Sequence, residues 1–287
     1  MSAPSDFVSR WDHVGTFRLH ALQWAGASTK VGYSSAAPPV VLVPGLVTAS
    51  RSMVPLARAL AGRGFQVWAL DPPGFGYSDK PTRALSMPEE AGILADWLRA
   101  TGLAPACVLG NSFGSQVAAA MAAAHPDTVQ RLVLLAPTAG PHVRRRLTWM
   151  RALPDPVGTR ERTAGRGRAR ALGRAHDLLG DQPSLRVLNV VEYMFASLLR
   201  AVSTIRCAVF EEMESVLPHV DVPTLLLRAE HDHLSSQEWA EHLAALLVDG
   251  TLVSLHGLGH AAFYAAPDTV ASTAAPFLAS GQLTSTP

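Results

Sequence analysis

The sequence predicts an α/β fold in which helices cover both faces of a mostly parallel sheet of about eight strands. Short, continuously apolar segments such as Val40–Val43 and Leu132–Leu135 are typical of strands that are buried on both faces. Helical segments alternate with most of these strands, as a parallel sheet requires. The chain has 287 residues, of which 48% are apolar, so it can bury a large core.

The predicted elements follow a regular order along most of the chain. Two opening strands, at 10–14 and 16–24, flank Gly15 and predict a hairpin. Further strands are predicted near 39–43, 65–70, 106–111, 130–136, 223–229 and 251–255. Helices are predicted near 50–62, 88–101, 113–124, 235–247 and 261–279. The alternation breaks after about Gly140, which predicts a helical cap at 140–217, inserted between a first core part at 1–139 and a second at 218–287.

One segment, Val108–Gly114, runs from an apolar strand into Gly-x-Ser-x-Gly, and Ala- and Val-rich helical sequence follows it. Glycines two residues before and after Ser112 permit a sharp turn where a side chain would collide with a neighbouring strand or helix. The turn exposes the Ser112 hydroxyl and points the first helix amides at whatever it attacks. The pentapeptide alone is a weak signal, because an ordinary loop with a capping serine can share it.

A second segment carries acidic groups to the end of a strand. The apolar run from Thr224 ends in Glu230-His231-Asp232-His233, and a strand end of this kind can face the same sheet edge as Ser112. Asp232 is predicted to orient a catalytic base, and Glu230 is the alternative. A metal site at His231 and His233 is not expected, because no further ligand cluster is evident.

A third segment offers the base. The strand from Thr251 is followed by His256-Gly257-Leu258-Gly259-His260, a glycine-flanked loop that can swing a histidine over the serine. His260 is the predicted base, because it follows Gly259 and precedes small residues. His256 lies at the strand end and is the alternative.

The order Ser112, Asp232, His260 resembles that of the α/β-hydrolases, and the resemblance covers nearly the whole chain. It includes Leu42-Val43-Pro44-Gly45-Leu46 after an early strand. It also includes the run from Asp71 to Pro81, which is similar to the family's Asp-x-x-Gly-x-Gly-x-Ser signature. This signature is a structural turn near the active-site edge and not a source of chemistry. The resemblance implies a catalytic triad with Ser112 as nucleophile, and no cofactor or metal.

The resemblance also implies an oxyanion hole formed by the backbone amides of Leu46 and Phe113. Many members carry His-Gly in the first loop, where this chain has Pro44-Gly45. Because the donor is a backbone group, the replacement need not abolish the hole. Four side chains are expected to contact a small-molecule substrate, one at the turn and three in the cap: Asn111, Trp149, Met194 and Phe195.

The function expected from these residues is hydrolysis of a carboxylic ester. The sharp strand-to-helix turn around Ser112, the nucleophile elbow, is also similar to that of carbon-carbon bond hydrolases. Those enzymes commonly carry a tryptophan directly after the histidine, where this chain has Ala261. A lyase, a cyclising biosynthetic enzyme and a small-molecule receptor remain alternatives, because the fold does not fix the function.

The charges give weaker indications. The formal net charge is +1, so no global field argues for nucleic acid or a membrane as partner. Ten arginines between Arg144 and Gly180 indicate a solvated helical face, attraction of an anionic substrate such as a carboxylate or a carrier-bound acyl group, or nucleic-acid binding, which no recognition motif accompanies. They are Arg144, Arg145, Arg146, Arg151, Arg160, Arg162, Arg166, Arg168, Arg170 and Arg174.

Two further observations concern the cell compartment and the cysteines. The first ten residues lack a basic start followed by an apolar run, so a cytoplasmic protein is expected. Cys107 and Cys207 do not form a disulfide framework and are expected in the core.

Overall fold

The computed structural model describes residues 6–26, 37–138, 140–152, 172, 184–195 and 198–282. Eight strands form one sheet in the order β1-β2-β4-β3-β5-β6-β7-β8. The strands are β1 Val8–Val14, β2 Phe17–Trp24, β3 Val40–Val43, β4 Val67–Leu70, β5 Ala106–Asn111, β6 Val129–Leu135, β7 Thr224–Ala229 and β8 Gly250–Leu255. The predicted fold class is confirmed, and so is the opening hairpin.

Helices follow the strands as the sequence predicts. They are α1 Val54–Ala61, α2 Met87–Ala100, α3 Phe113–Ala124, α4 Pro141–Arg146, α5 Leu185–Phe195, α6 Leu198–Phe210, α7 Met213–Val216, α8 Gln237–Leu246, α9 Ala262–Ala265 and α10 Pro267–Ser280. The single helix predicted at 261–279 is wrong, because the chain leaves the helical conformation at Ala266 (φ −138°, ψ 57°). Pro267 explains the break, since a proline disfavours helical geometry in the residue before it.

The sheet brings the ends of its strands to one edge. β2 pairs antiparallel with β1 and with β4, and the six strands β3 to β8 pair in parallel with their neighbours. The carboxyl ends of β3, β5, β6, β7 and β8 therefore share an edge, which is where open α/β sheets bind their ligands.

Each parallel strand contributes to two cores. In β3, Val41 and Val43 belong to the cluster that includes Leu94 of α2, whereas Val40 and Leu42 belong to the cluster that includes α1. This alternation explains why the strands read as continuous apolar runs: both faces of the sheet are covered by helices.

Between β6 and β7, the residues that the structure describes form helices α4 to α7 and short 3₁₀ turns. We call this part of the chain the insertion. Arg200 of α6 ties the insertion to the core by donating to the carbonyl oxygens of Gly74 (3.1 Å) and Pro81 (2.8 Å). Gln116 of α3 donates to the Ala208 carbonyl at 2.9 Å. Among the described residues, no helix is long and apolar enough to span a membrane.

The loop after β4 is organised by the buried carboxylate of Asp71. This carboxylate accepts hydrogen bonds from His20 Nδ1 (2.7 Å), the Ser50 amide (2.7 Å) and the Tyr77 amide (2.8 Å). Burial alone would raise the pKa of Asp71, but the charge of His20 and these hydrogen bonds lower it to about 2. The Asp-x-x-Gly-x-Gly-x-Ser turn noted in the sequence is therefore held by its first residue.

Removing this charge should destabilise the fold. We expect Asp71→Asn to lower the free energy of unfolding by about 3 kcal/mol, because the buried His20 ring and the Ser50 and Tyr77 amides lose the carboxylate to which they donate. The pKa of Asp71 is lowered from 3.8, so the parent loses this contribution as the pH falls from about 4 to about 2. Urea unfolding over that pH range measures both effects. Asp96→Asn, which alters an exposed pair with Arg99, is the control, and an equal loss in both variants would contradict the assignment.

Candidate active site

Ser112 lies at the turn between β5 and α3, where the backbone bends sharply. Its φ of 55° is in the left-handed region that non-glycine residues rarely adopt. A Cβ built at Gly110 would overlap the carbonyl of Gly114, and one at Gly114 would overlap the carbonyls of Val43 and Pro44. The two glycines of the predicted elbow are thus required by close backbone approach.

Three side chains predicted from the sequence come together at this edge. The Ser112 hydroxyl donates to His260 Nε2 at 3.1 Å, and His260 Nδ1 donates to Asp232 Oδ2 at 2.8 Å. An ionised carboxylate can only accept hydrogen bonds, so Asp232 fixes the proton of His260 on Nδ1 and leaves Nε2 free to accept. This arrangement matches the geometry of a nucleophile, a base and an orienting acid.

The loop after β7 holds Asp232 rigidly. Its other oxygen, Oδ1, accepts from the amides of Leu234 (2.8 Å) and Ser235 (3.1 Å). The Asp232 side chain is fully buried, whereas that of His260 is 29% exposed. The histidine can therefore reach a substrate while its partner stays shielded from water.

The alternative acid and base are placed elsewhere. Glu230 accepts from the Gly257 amide at 2.8 Å, and this hydrogen bond lowers the pKa of its exposed carboxyl. His256 Nδ1 lies 3.6 Å from Glu230, and its side chain is 87% exposed. Together Glu230 and Gly257 brace the loop that carries His260. Among the described residues, no group of three His, Cys, Asp or Glu side chains could hold a metal ion.

The loop after β3 lies against the nucleophile. The atom nearest to a Cβ built at Gly45 would be Ser112 Cβ, at 3.2 Å. Thr48 holds this loop, because its hydroxyl donates to the Gly45 carbonyl at 2.9 Å. Pro44 occupies the usual histidine position without displacing the loop from Ser112. The amides of Leu46 and Phe113 donate to no acceptor in the described part of the chain, so both are available to a ligand.

A pocket adjoins Ser112 on the side of Gly45 and Phe113. Its walls come from the core and from α6, and the space left between them is narrow. The lining residues are Val43, Pro44, Gly45, Val47, Pro72, Phe75, Glu90, Leu94, Phe113, Val117 and Thr204. Nearly all of these side chains are apolar, and Glu90 is the only acidic one among them.

Glu90 was not predicted from the sequence. It is 6% exposed, and its carboxyl makes no hydrogen bond to any residue that the structure describes. Burial raises its pKa to about 8, although the charge of Arg200 acts in the opposite direction. The neighbouring Glu89 instead caps α2 by accepting from the Ser86 amide at 2.9 Å. A signal was present, because Glu90 and Leu94 are four residues apart on the apolar face of a helix.

The predicted substrate contacts have mixed positions. Asn111 is 3% exposed beside the turn, and its Oδ1 has no hydrogen-bond partner among the described residues. Trp149 and Met194 are 62% and 72% exposed, and neither lines the pocket that contains Glu90. Phe195 ends α5, but its side chain lies outside the described residues. A substrate contact by any of the four stays a prediction.

The arginine run is described only in part. Arg144 donates to Glu214 at 2.6 Å and lies over the Trp239 ring, and Arg151 lies over the Phe210 ring. Arg145 and Arg146 are exposed. These contacts give Arg144 and Arg151 structural roles, and attraction of an anionic substrate stays a prediction. The other six arginines lie outside the described residues, at positions 160, 162, 166, 168, 170 and 174.

Comparison with known proteins agrees with the geometry. A family model described as the alpha/beta hydrolase fold matches residues 38–179, and one described as TAP-like protein matches residues 201–286. The chain is also 31% identical to RutD of Yersinia enterocolitica, a candidate carbamate hydrolase, over 79% of this chain and 82% of that protein. The chain belongs to the α/β-hydrolase family.

Other relatives of this α/β-hydrolase differ in how much they share. A pimeloyl-[acyl-carrier protein] methyl ester esterase of Stenotrophomonas maltophilia is 27% identical over 84% of this chain and 93% of that protein. A polyketide synthase of Burkholderia thailandensis is 28% identical over 83% of this chain, which spans only 12% of that protein. This chain superposes on the crystal structure of E-2-(acetamidomethylene)succinate hydrolase with a TM-score of 0.71 and 20% identity. The superposition covers 95% of this chain and 99% of that chain. The relatives with full-length coverage support a hydrolase.

The buried Glu90 carboxyl of this α/β-hydrolase should make the stability fall as the pH rises from about 5 to about 8. The pKa of Glu90 rises from 4.5 to about 8 on folding, so the unfolded chain releases the proton first and the stability of the parent falls over that pH range. Glu90→Gln cannot ionise. The difference in free energy of unfolding between Glu90→Gln and the parent should therefore shift in favour of the variant, by about 3 kcal/mol between about pH 5 and about pH 8.

Urea unfolding of parent and variant at a series of pH values measures this advantage. Glu238→Gln, which removes an exposed acid from α8, is the matched control and should show no such growth. A constant difference between parent and Glu90→Gln would mean that Glu90 titrates normally.

Proposed function

We propose that the protein is a serine hydrolase that cleaves a small-molecule carboxylic ester through an acyl-enzyme. The observation that carries this proposal is the continuous hydrogen-bonded line from Asp232 through His260 to Ser112. In this line the serine is mounted on a strained turn and the acid is buried. An arrangement of this kind activates a hydroxyl, which is a weak nucleophile at neutral pH.

The first half of the reaction forms the acyl-enzyme. His260 Nε2 takes the Ser112 proton as the serine oxygen attacks the ester carbonyl carbon, and the carbonyl becomes a tetrahedral oxyanion. The amides of Leu46 and Phe113 stabilise this oxyanion, because both lack other acceptors among the described residues. Asp232 stabilises the imidazolium. His260 then gives its proton to the departing alkoxide, so an alcohol leaves and the acyl group stays on Ser112.

The second half repeats these roles with water. His260 accepts a proton from water, whose oxygen attacks the acyl carbon, and a second oxyanion forms in the same hole. Collapse of this intermediate returns the proton to Ser112 and releases the carboxylic acid. Every proton is handled by His260, so no cofactor takes part in the proposed cycle.

Two considerations favour an ester over the alternatives. The methyl ester esterase among the relatives shares most of its length with this chain. The position after His260 is Ala261, where carbon-carbon bond hydrolases commonly carry a tryptophan. A panel of short and long chromogenic esters separates the classes further: turnover supports the hydrolase, whereas tight binding without turnover favours a small-molecule receptor.

The nucleophile can be identified by covalent labelling. A fluorophosphonate should add once to the parent protein, because it reacts with an activated serine, and Ser112→Ala should lose the adduct. The same variant should lower kcat for a chromogenic ester by on the order of 10⁵ to 10⁶. Intact-protein mass spectrometry and a colorimetric assay give both readouts. Ser272→Ala, on the exposed face of α10, is the control, and labelling that persists in Ser112→Ala refutes the assignment.

The base can be identified by comparing two histidines of the same loop. His260→Ala should lower kcat by on the order of 10⁵ to 10⁶, because no other described group accepts the serine proton. His256→Ala should change kcat little, because that side chain is exposed and lies beside Glu230. Steady-state kinetics on one ester decide between them. The reverse ranking would move the base to His256.

A further inference from the structure

The pocket beside Ser112 contains a polar group that its apolar walls do not require. Glu90 projects from the same face of α2 as Leu94, among Val43, Phe75 and Val117. A carboxyl buried in such surroundings with no hydrogen-bond partner in the described part of the chain is costly, and groups of this kind concentrate at binding and catalytic sites. The triad and the oxyanion hole make no use of it. Its free hydrogen-bonding capacity is therefore directed at whatever fills the pocket.

The charges around Glu90 favour a neutral ligand group. The charges of two residues act on the pKa of Glu90. Glu89 on its own helix raises this pKa, and Arg200 of α6 lowers it. A cation in the pocket would be repelled by Arg200, and an anion would find no cationic side chain among the residues that line the pocket. The burial that raises the pKa of Glu90 to about 8 keeps a proton on it near neutral pH. Glu90 can then donate one hydrogen bond and accept another.

Thr204 provides a second acceptor at the same pocket. Its hydroxyl proton is used, because it donates to the Arg200 carbonyl at 2.9 Å, so the Thr204 oxygen can only accept from a ligand. A hydroxyl group matches this pair, since it can accept from Glu90 and donate to Thr204. A methyl group at the same point would leave Glu90 without a partner, which costs binding free energy.

We propose that Glu90 is a specificity-determining residue that binds an uncharged hydroxyl group carried by the substrate chain inside this pocket. The substrate would then be an ester whose chain is mostly apolar and bears a hydroxyl away from the scissile carbonyl. Glu90 acts here on the ester of the proposed function, so its role rests on that function. It differs from the triad residues in that it contacts no reacting atom.

Binding to the Ser112→Ala protein tests the role of Glu90 separately from turnover. The probes are methyl esters of saturated acids from butanoate to octanoate, each with and without a hydroxyl on the last carbon. We expect the hydroxylated ester to bind about tenfold more tightly at the chain length that reaches Glu90, as one good hydrogen bond allows. Isothermal titration calorimetry measures both members of each pair.

Variants of Glu90 in the same Ser112→Ala protein assign the preference. Glu90→Leu should abolish it, Glu90→Gln should keep part of it through the amide N–H, and the control Glu238→Gln should keep all of it. Circular dichroism checks that each variant is folded. Equal binding within every pair, or a preference that survives Glu90→Leu, overturns the proposal. A parent protein that binds these esters with the expected preference but turns none of them over would contradict the proposed function alone.

Discussion

The turn at Ser112 is the constraint on which the candidate active site depends. A serine with a φ of 55° is unfavourable by itself, and such strain persists only where the surrounding structure fixes it. Here the Ser112 amide donates to the Leu135 carbonyl at 2.8 Å, and the Ser115 hydroxyl donates to the Gly110 carbonyl at 2.7 Å. These bonds connect the turn to β6 and back to β5, so the sheet itself holds the hydroxyl in place.

The parallel sheet then supplies the other groups at the same edge. β7 ends three residues before Asp232, β8 ends five residues before His260, and β3 ends just before the loop that carries Leu46. Val47 and Ala136, which follow β3 and β6, also have positive φ values of 53° and 51°. Strained non-glycine residues thus follow three neighbouring strands at one edge, which is typical of a site whose geometry is held by the scaffold. The same edge carries the pocket with Glu90, and α6 of the insertion contributes Thr204 to its wall.

Much of this could be predicted from the sequence, because the signals are local. The apolar strand and the flanking glycines indicate the position of Ser112 within a few residues. The ends of the next strands do the same for Asp232 and His260. The break at Ala266 was missed, because the apolar pattern continues across it and only Pro267 marks it. Glu90 was missed for a different reason. An acid near the start of a helix is ordinary, and only the folded structure, in which Glu90 lines a pocket together with Thr204 of α6, shows that Glu90 faces inward while Glu89 caps the helix.

The central claim is that the Leu46 and Phe113 amides and the Ser112 hydroxyl act on one carbonyl group. A crystal structure of the protein after reaction with a p-nitrophenyl alkylphosphonate tests this claim most directly, because the adduct mimics the tetrahedral intermediate. We expect phosphorus on Ser112 Oγ, one phosphonyl oxygen about 2.7 to 3.1 Å from both amide nitrogens, and His260 beside the position of the leaving group. A phosphonyl oxygen directed away from Leu46 and Phe113, or phosphorus on another residue, would contradict the account.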